Sequence, residues 1–247
     1  MKTILCDSYE EMSKAGALII ADQLKAKPDS VLGFATGSTP VGMYTELAKM
    51  NKNGEMDFSK VTTFNLDEYY PIDPKNQQSY RYFMNENLFN KINIDISKTF
   101  VPEGYSSDST AACKKYEKMI KDAGGIDLQV LGIGVNGHIG FNEPAKNLKA
   151  STHVTDLTES TIEANSRFFA SREDVPRQAI TMGIGTILKS KKIILLITGE
   201  NKSKALNDLL GDDIITDNPA TFLKVHNDVT LICDKEAYYG RDNTQER

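Results

Sequence analysis

Short apolar runs rich in β-branched residues alternate with helix-like segments along the whole chain of 247 residues. Alternation of this kind predicts crossover units, in which a helix returns the chain from one strand to a parallel neighbour. The runs are apolar throughout, which is typical of strands that helices cover on both faces. The sequence therefore predicts a single three-layer α/β/α domain over residues 1–247, with a mostly parallel, Rossmann-like sheet.

The runs predict six strands and six helices. The strands are expected at residues 3–5, 31–35, 61–65, 128–133, 193–198 and 229–233. The helices are expected at residues 9–25, 41–50, 80–89, 110–122, 160–168 and 203–210.

Charge and cysteine content exclude several classes of function. The net charge of -5 at pH 7 argues against a broad nucleic-acid-binding face and leaves room for a local basic pocket. Cys6, Cys113 and Cys233 lie far apart without a C-x-x-C pair, so neither a disulfide framework nor a zinc site is indicated. A reduced, cytoplasmic setting is expected. The N-terminal stretch lacks the apolar segment of a signal peptide, and the longest apolar run, 193–197, is too short to span a bilayer.

Polar turns follow four of the predicted strands. They begin at Thr36, Asn65, Gly134 and Thr198. In an open parallel sheet, ligands bind beyond the carboxyl ends of the strands. The four turns are therefore expected to form one site.

The turn TGSTP (36–40) has the composition of an anion site. Gly37 permits a tight turn. Ser38 or Thr39 can cap the helix that follows, and Pro40 suits its first turn. Free N–H groups at a helix start attract phosphate. The turn lacks the lysine of a P-loop, so nucleotide binding is not indicated, and an ordinary capped turn is the alternative.

Two cations are candidates to complete a phosphate pocket. Arg167 follows a helical run, and Lys202 follows a strand through Gly199. Taken alone, each is more simply interpreted as a surface charge. Together with TGSTP they would neutralise a phosphate dianion, the arginine by bidentate hydrogen bonds and the lysine as a point charge.

Asp67 and Glu68 lie next to each other after the third strand. In an extended backbone their side chains point to opposite faces, so they are not expected to act as a carboxylate pair. One of them can enter the site, where apolar neighbours would raise its pKa towards that of a general base. A solvated acidic turn is the alternative.

The stretch GIGVNG (132–137) matches the letters of a dinucleotide-binding fingerprint. That fingerprint requires a helix after its third glycine, and Gly140 and Pro144 make a regular helix there improbable. The glycines instead suit a loop that presents Asn136, His138 and Glu143 to a ligand. A histidine can take and give a proton near neutral pH, and a neighbouring carboxylate can orient it. The three histidines are scattered, so no metal is implied.

Four motifs carry a family resemblance. They are TGSTP (36–40), NLDEY (65–69), GVNGHIGFNEP (134–144) and ANSRFF (164–169). In this order they resemble the glucosamine-6-phosphate deaminase family over nearly the whole chain. The resemblance implies a cofactor-independent enzyme without a metal. It converts glucosamine 6-phosphate and water into fructose 6-phosphate and ammonia.

The resemblance also implies a role for each candidate residue. Asp67 is the base that moves a proton between C2 and C1. His138 opens the pyranose ring by taking the O1 proton and returning one to O5, and Asn136 and Glu143 hold and tune it. The phosphate-binding positions are Gly37, Ser38, Thr39, Arg167 and Lys202.

The chain departs from the family pattern at two places. Asn136 stands where many relatives carry an aspartate, so the proton relay is expected to depend on Glu143, since an amide stabilises an imidazolium less than a carboxylate does. Residues 150–166 contain no lysine or arginine, so the activator phosphate site of the hexameric branch is not expected. A monomer or small homo-oligomer without allosteric activation is predicted, with a possible lid at 152–177.

Two other functions of related fold are alternatives. A 6-phosphogluconolactonase-like hydrolase needs an activated water and no base at C2, so the NLDEY motif argues against it. A sugar-phosphate-sensing domain would carry a helix-turn-helix, whereas this sequence begins directly with its first strand.

Overall fold

The computed structural model describes residues 1–167 and 169–240. Seven strands of this part form one central sheet in which every neighbouring pair is parallel, and three form a small antiparallel sheet. The strands are β1 (Lys2–Cys6), β2 (Val31–Phe34), β3 (Thr62–Asn65), β4 (Asp67–Tyr70), β5 (Thr99–Phe100), β6 (Leu128–Gly132), β7 (His153–Asp156), β8 (Gln178–Thr181), β9 (Lys192–Ile197) and β10 (Val229–Asp234).

The helices cover both faces of the central sheet. They are α1 (Tyr9–Ala26), α2 (Val41–Lys52), α3 (Tyr80–Asn87), α4 (Ser109–Asp122), α5 (Glu159–Ser166), α6 (Ile184–Leu188), α7 (Ser203–Leu210) and α8 (Lys235–Tyr239). The three-layer α/β/α architecture is confirmed, and each predicted strand and helix is present within a few residues. The predicted end of the helix at 160–168 includes Phe168, which lies outside the described residues.

Strand β9 shows why these strands read as continuous apolar runs. Ile194 and Leu196 pack with α1 and α2 on one face, whereas Ile193, Leu195 and Ile197 pack with α4, α6 and α7 on the other. All five side chains are buried. Burial of one such side chain stabilises the fold by about 1.5–3 kcal/mol.

The central sheet has the order β1-β10-β9-β6-β2-β3-β5. From β2 the chain proceeds to β3 on one side, and from β6 it reaches β9 on the other. The strand order thus reverses between β2 and β6, which opens a crevice beyond their carboxyl ends. The turns after these two strands are TGSTP and the loop that carries His138.

The small sheet, with the order β4-β8-β7, was not predicted. DEYY falls in a predicted polar turn and HVTD in the predicted lid, because both are polar and lack a clear alternation of apolar residues, and no element is predicted at Gln178–Thr181. Pairing with β8 stabilises them: Asp67 lies opposite Thr181 and Tyr70 opposite Gln178. Local sequence patterns do not reveal such long-range partners.

No helix in the described part of the chain has the length and apolar character needed to cross a membrane.

Candidate active site

A cleft of about 510 Å³ lies at the carboxyl ends of the central strands. All four predicted polar turns contribute to it or lie beside it. Of the nine predicted site residues, eight line the cleft, and Glu143 lies directly behind His138. The eight are Gly37, Ser38, Thr39, Asp67, Asn136, His138, Arg167 and Lys202.

Asp67 begins β4 and faces the cleft, with 6% of its surface exposed. Burial, followed by the negative charge of Glu68, raises the pKa of Asp67 to about 8. Glu68 points to the other side of the strand, where it accepts hydrogen bonds from backbone N–H groups. The two carboxylates therefore have different surroundings, as the alternation of an extended strand predicts.

The loop after β6 contains glycines at positions where neighbouring side chains already fill the space that a Cβ atom would need. A Cβ atom at Gly134 would lie 2.2 Å from the ring of His138. Gly140, with φ +58°, lies against Asp67, because a Cβ there would be 3.4 Å from its Oδ2. The loop thus folds back on itself and brings His138 and Asp67 to one cleft. No helix follows Gly137 before β7, so the dinucleotide fingerprint lacks its required context.

His138 contacts a buried carboxylate. Its Nδ1 lies 3.3 Å from Oε2 of Glu143, an ion-pair distance without the alignment of a good hydrogen bond. Glu143 also accepts hydrogen bonds from Nδ2 of Asn136, at 2.6 Å, and from the hydroxyl of Thr161. Burial alone would raise the pKa of Glu143, but His138 and these two donors outweigh it and lower the pKa to about 2. An ionised carboxylate therefore stands behind the imidazole.

Asn136 contacts the backbone of His138 and the side chain of Glu143. Its Oδ1 accepts a hydrogen bond from the backbone N–H of His138, at 3.2 Å, and its amide donates to Glu143. Asn136 thus supports the carboxylate and the loop. An amide at this position can donate to Glu143, which an ionised aspartate cannot.

Arg167 and Lys202 both line the cleft. Lys202 ends a short 3-10 turn, Glu200–Lys202, after Gly199, which has φ +87°. Asp234 accepts hydrogen bonds from the Thr198 hydroxyl and the Gly199 N–H and so fixes this turn. Burial and then the charge of Arg167 lower the pKa of Lys202 to about 8. The two cations therefore lie near one another in the cleft.

The TGSTP turn enters the cleft but does not cap α2 as predicted. The N-cap residue is Pro40, and no side chain caps the helix. Ser38 is exposed at the cleft and its carbonyl receives the Val41 N–H. The hydroxyls of Ser38 and Thr39 are therefore available to a ligand. In the described residues, no cluster of histidine, cysteine and acidic side chains could hold a metal ion.

Comparison with known proteins assigns the family. The sequence profile of glucosamine-6-phosphate isomerases and 6-phosphogluconolactonases matches residues 7–232. The chain belongs to the glucosamine-6-phosphate isomerase/6-phosphogluconolactonase family. The glucosamine-6-phosphate deaminase of Halothermothrix orenii is 56% identical over 96% of this chain and 98% of the relative. That of Clostridium perfringens strain 13 is 55% identical over the same shares.

Solved structures match this chain at two levels of similarity. A monomeric glucosamine-6-phosphate deaminase matches with a TM-score of 0.95 at 46% identity, covering 98% of this chain and 100% of its own. The 6-phosphogluconolactonase of Trypanosoma brucei matches with a TM-score of 0.78 at 18% identity, covering 96% and 97%. The second match shows the shared fold alone.

Several residues that line the cleft were not predicted from the sequence. Thr161 and Asn165 lie four residues apart on α5, a spacing that places both on one face. That spacing was the available signal, although the eight-residue helix is too short for a clear pattern. Tyr80 reaches the cleft from the start of α3, far from any predicted strand end. The unpredicted lining residues include Tyr80, Phe141, Ser160, Thr161, Asn165 and Lys204.

Residues 152–177, the predicted lid, contain β7, α5 and a 3-10 turn, Arg172–Asp174. Its α5 contributes Thr161 and Asn165 to the cleft, and Arg167 follows directly. The movement of this segment stays a prediction.

Proposed function

We propose that this chain is a glucosamine-6-phosphate deaminase. The observation that carries the proposal is that Asp67 faces the same cleft as His138 and its carboxylate partner, and that Arg167 and Lys202 also line this cleft. The reaction requires a base at C2, a group that exchanges protons with O1 and O5, and a phosphate anchor. The similarity to deaminases over nearly the full chain supports the same activity.

His138 serves the ring-opening step in this proposal. The imidazole takes the proton of the O1 hydroxyl and delivers a proton to O5, so that the C1–O5 bond breaks and the aldehyde forms. Glu143, ionised and 3.3 Å from Nδ1, stabilises the imidazolium between these two transfers. Asn136 and Thr161 hold the carboxylate in place by their hydrogen bonds to it.

Asp67 then performs the proton transfer that converts the aldose. It removes the C2 proton while the ammonium group of the substrate gives a proton to O1, which yields an enolamine. Asp67 then returns its proton to C1, which leaves an iminium group at C2. Water adds to C2, ammonium departs and the ketone of fructose 6-phosphate remains. A base with a pKa of about 8 suits this step because it must both take and give a proton near neutral pH.

The phosphate group is assigned to the part of the cleft that Arg167 and Lys202 line. Arg167 supplies paired donors and Lys202 a point charge, with Gly37, Ser38 and Thr39 on the facing turn. No other group of the substrate carries a double negative charge. The phosphate therefore fixes the direction in which the sugar lies.

The lactonase alternative of the same family is less well supported. Hydrolysis of a lactone needs an activated water and leaves the C2 proton in place, so the buried base Asp67 has no step to perform. A sensing domain needs no such base either.

We also propose that the enzyme works as a monomer, since the similar solved deaminase is described as monomeric. The three cysteines are free and buried, which suits the reducing cytoplasm.

Ammonia release from glucosamine 6-phosphate is the assay that tests the function. We expect a hyperbolic dependence of rate on substrate concentration, unchanged by N-acetylglucosamine 6-phosphate, because residues 150–166 offer no cation to an activator phosphate. Sigmoidal curves that the acetylated sugar phosphate makes hyperbolic would contradict the absence of activation. A chain that releases no ammonia but hydrolyses 6-phosphogluconolactone would refute the proposed function itself.

The pH dependence of kcat/KM is expected to be a narrow bell with both limbs near pH 8. Asp67 acts only when ionised, so activity rises with pH through its pKa of about 8. Lys202 binds phosphate best when protonated, so activity falls as pH rises through its pKa of about 8. The measurement is kcat/KM against pH, with the ionisations of free substrate divided out. In Lys202→Met the alkaline limb should disappear. A profile of the unaltered chain that is flat around pH 8 would contradict the roles given to Asp67 and Lys202.

A further inference from the structure

Glu68 is a buried carboxylate to which the proposed reaction gives no role. It is 2% exposed and faces away from the substrate cleft, beside a second cavity of about 300 Å³. The backbone of Gly104 packs against it so closely that a Cβ atom there would lie 2.8 Å from the Glu68 Cγ. A charged side chain is seldom buried without a specific set of partners.

The partners of Glu68 lie at the start of helix α3. Oε1 accepts hydrogen bonds from the N–H groups of Tyr69 and Tyr80, at 2.9 and 2.8 Å, and Oε2 accepts one from Arg81 at 2.9 Å. Two of these donors are first-turn amides of the helix, which a carboxylate satisfies well. The carboxylate of Glu68 thus fixes where α3 begins.

The first residue of α3 is Tyr80, whose ring lines the cleft that contains Asp67. The ring stacks on Phe141 at 6.0 Å between centroids and contacts Tyr69 at 4.8 Å. Fixing the start of α3 therefore fixes one wall of the cavity around the base. This wall contributes to the burial that keeps water from Asp67.

The charge of Glu68 also acts on Asp67 directly. After burial, it is the charge that raises the pKa of Asp67. The titratable groups facing Asp67 from the packed helices are phenols that stay neutral near pH 8, because burial raises their pKa values: Tyr44 on α2, Tyr80 on α3 and Tyr116 on α4. The Arg81 guanidinium faces Glu68 but donates its hydrogen bonds to Thr99.

We infer that Glu68 is a positioning residue of the deamination: it holds Tyr80 in the wall of the cleft that contains Asp67, and its charge acts on Asp67 from the opposite face of β4. The inference rests on the proposed function, in which Asp67 takes the C2 proton. A base that is too weak removes this proton slowly, and proton transfer is most efficient when the base titrates near the working pH. Because Asp67 and Glu68 lie on opposite faces of β4, Glu68 can act on Asp67 without contacting the substrate.

The test compares Glu68→Gln with Ser79→Ala. Glu68→Gln removes the charge and keeps an oxygen for the helix amides, so the acid limb of kcat/KM should move down by about one pH unit. The pH-independent kcat/KM fitted to the bell should fall several-fold, because Asp67 becomes a weaker base. Ser79 caps the same helix by accepting the Tyr82 N–H, and Ser79→Ala should leave the acid limb in place. An unmoved limb in Glu68→Gln, or an equal shift in both variants, would overturn the inference.

A measurement on the unaltered chain covers the case in which Glu68→Gln does not fold. The Asp67 carboxyl carbon, labelled with ¹³C and identified by its loss in Asp67→Asn, should titrate in two steps. The reason is that burial raises the pKa of Glu68 to about 7, so its ionisation precedes and perturbs that of Asp67. A single step would overturn the inference. This readout needs no turnover, so it is independent of the ammonia-release assay that tests the proposed function.

Discussion

Replacement of Asp67 by asparagine is expected to lower kcat for ammonia release by about 10²–10⁴-fold, the usual contribution of a positioned general base. The amide has nearly the same size but cannot accept the C2 proton. Binding should survive, because the substitution leaves Arg167 and Lys202, the proposed phosphate anchors, unaltered. The acyclic analogue 2-amino-2-deoxyglucitol 6-phosphate, which cannot form an enolamine, measures binding alone by calorimetry.

Asp73→Asn is the matched control for this substitution. Asp73 is exposed, lies outside the cleft and accepts a backbone hydrogen bond from Lys75. The same change of aspartate to asparagine should leave kcat and analogue binding unaltered there. Near-normal turnover in Asp67→Asn would remove Asp67 from the proposed mechanism. Loss of analogue binding together with turnover would show that the carboxylate serves the fold of the cleft and not the proton transfer.

Six of the seven central-sheet strands that the structure describes could be predicted because their signal is local, whereas β5 (Thr99–Phe100), with two residues, is too short to give one. A strand such as β9 is apolar at five successive positions, 193–197, since helices cover both faces. The sheet β4-β8-β7 could not be predicted in this way. Its strands are short, one begins with two carboxylates, and each is stabilised by a partner far away in the chain. Contacts of that kind depend on the assembled fold.

The candidate site also contains residues that could be predicted from the sequence and residues that could not. Residues at the carboxyl ends of strands, such as Asp67 and His138, could be grouped in advance because parallel strands bring their ends together. The roles of Thr161, Tyr80 and Glu68 could not be predicted in this way. Their roles arise from contacts between side chains on different elements, such as the hydrogen bond from Thr161 to Glu143. The hydrogen bond from the Asn136 amide to Glu143 likewise depends on how the loop folds, and the tuning role of Asn136 stays a prediction.

Replacement of His138 by glutamine is expected to lower kcat/KM by about 100-fold or more, because glutamine cannot pass a proton from O1 to O5. The variant keeps Asp67 and therefore still converts substrate molecules whose ring has opened in solution. With increasing enzyme concentration, its rate of ammonia release should reach a ceiling set by spontaneous ring opening. Progress curves at several enzyme concentrations measure this directly. Asp67→Asn should show no such ceiling, because its block comes after ring opening.

His226→Gln provides the matched control for the histidine variant. His226 lies outside the cleft, where Nε2 contacts the Ser190 carbonyl at 2.6 Å and Nδ1 accepts the Asp228 N–H. The rate in this variant should stay proportional to enzyme concentration and close to that of the unaltered chain. If His138→Gln behaves the same way, ring opening does not depend on this imidazole. If instead the ceiling appears, the pair His138 and Glu143 accelerates ring opening, and Asp67 alone suffices for the steps that follow.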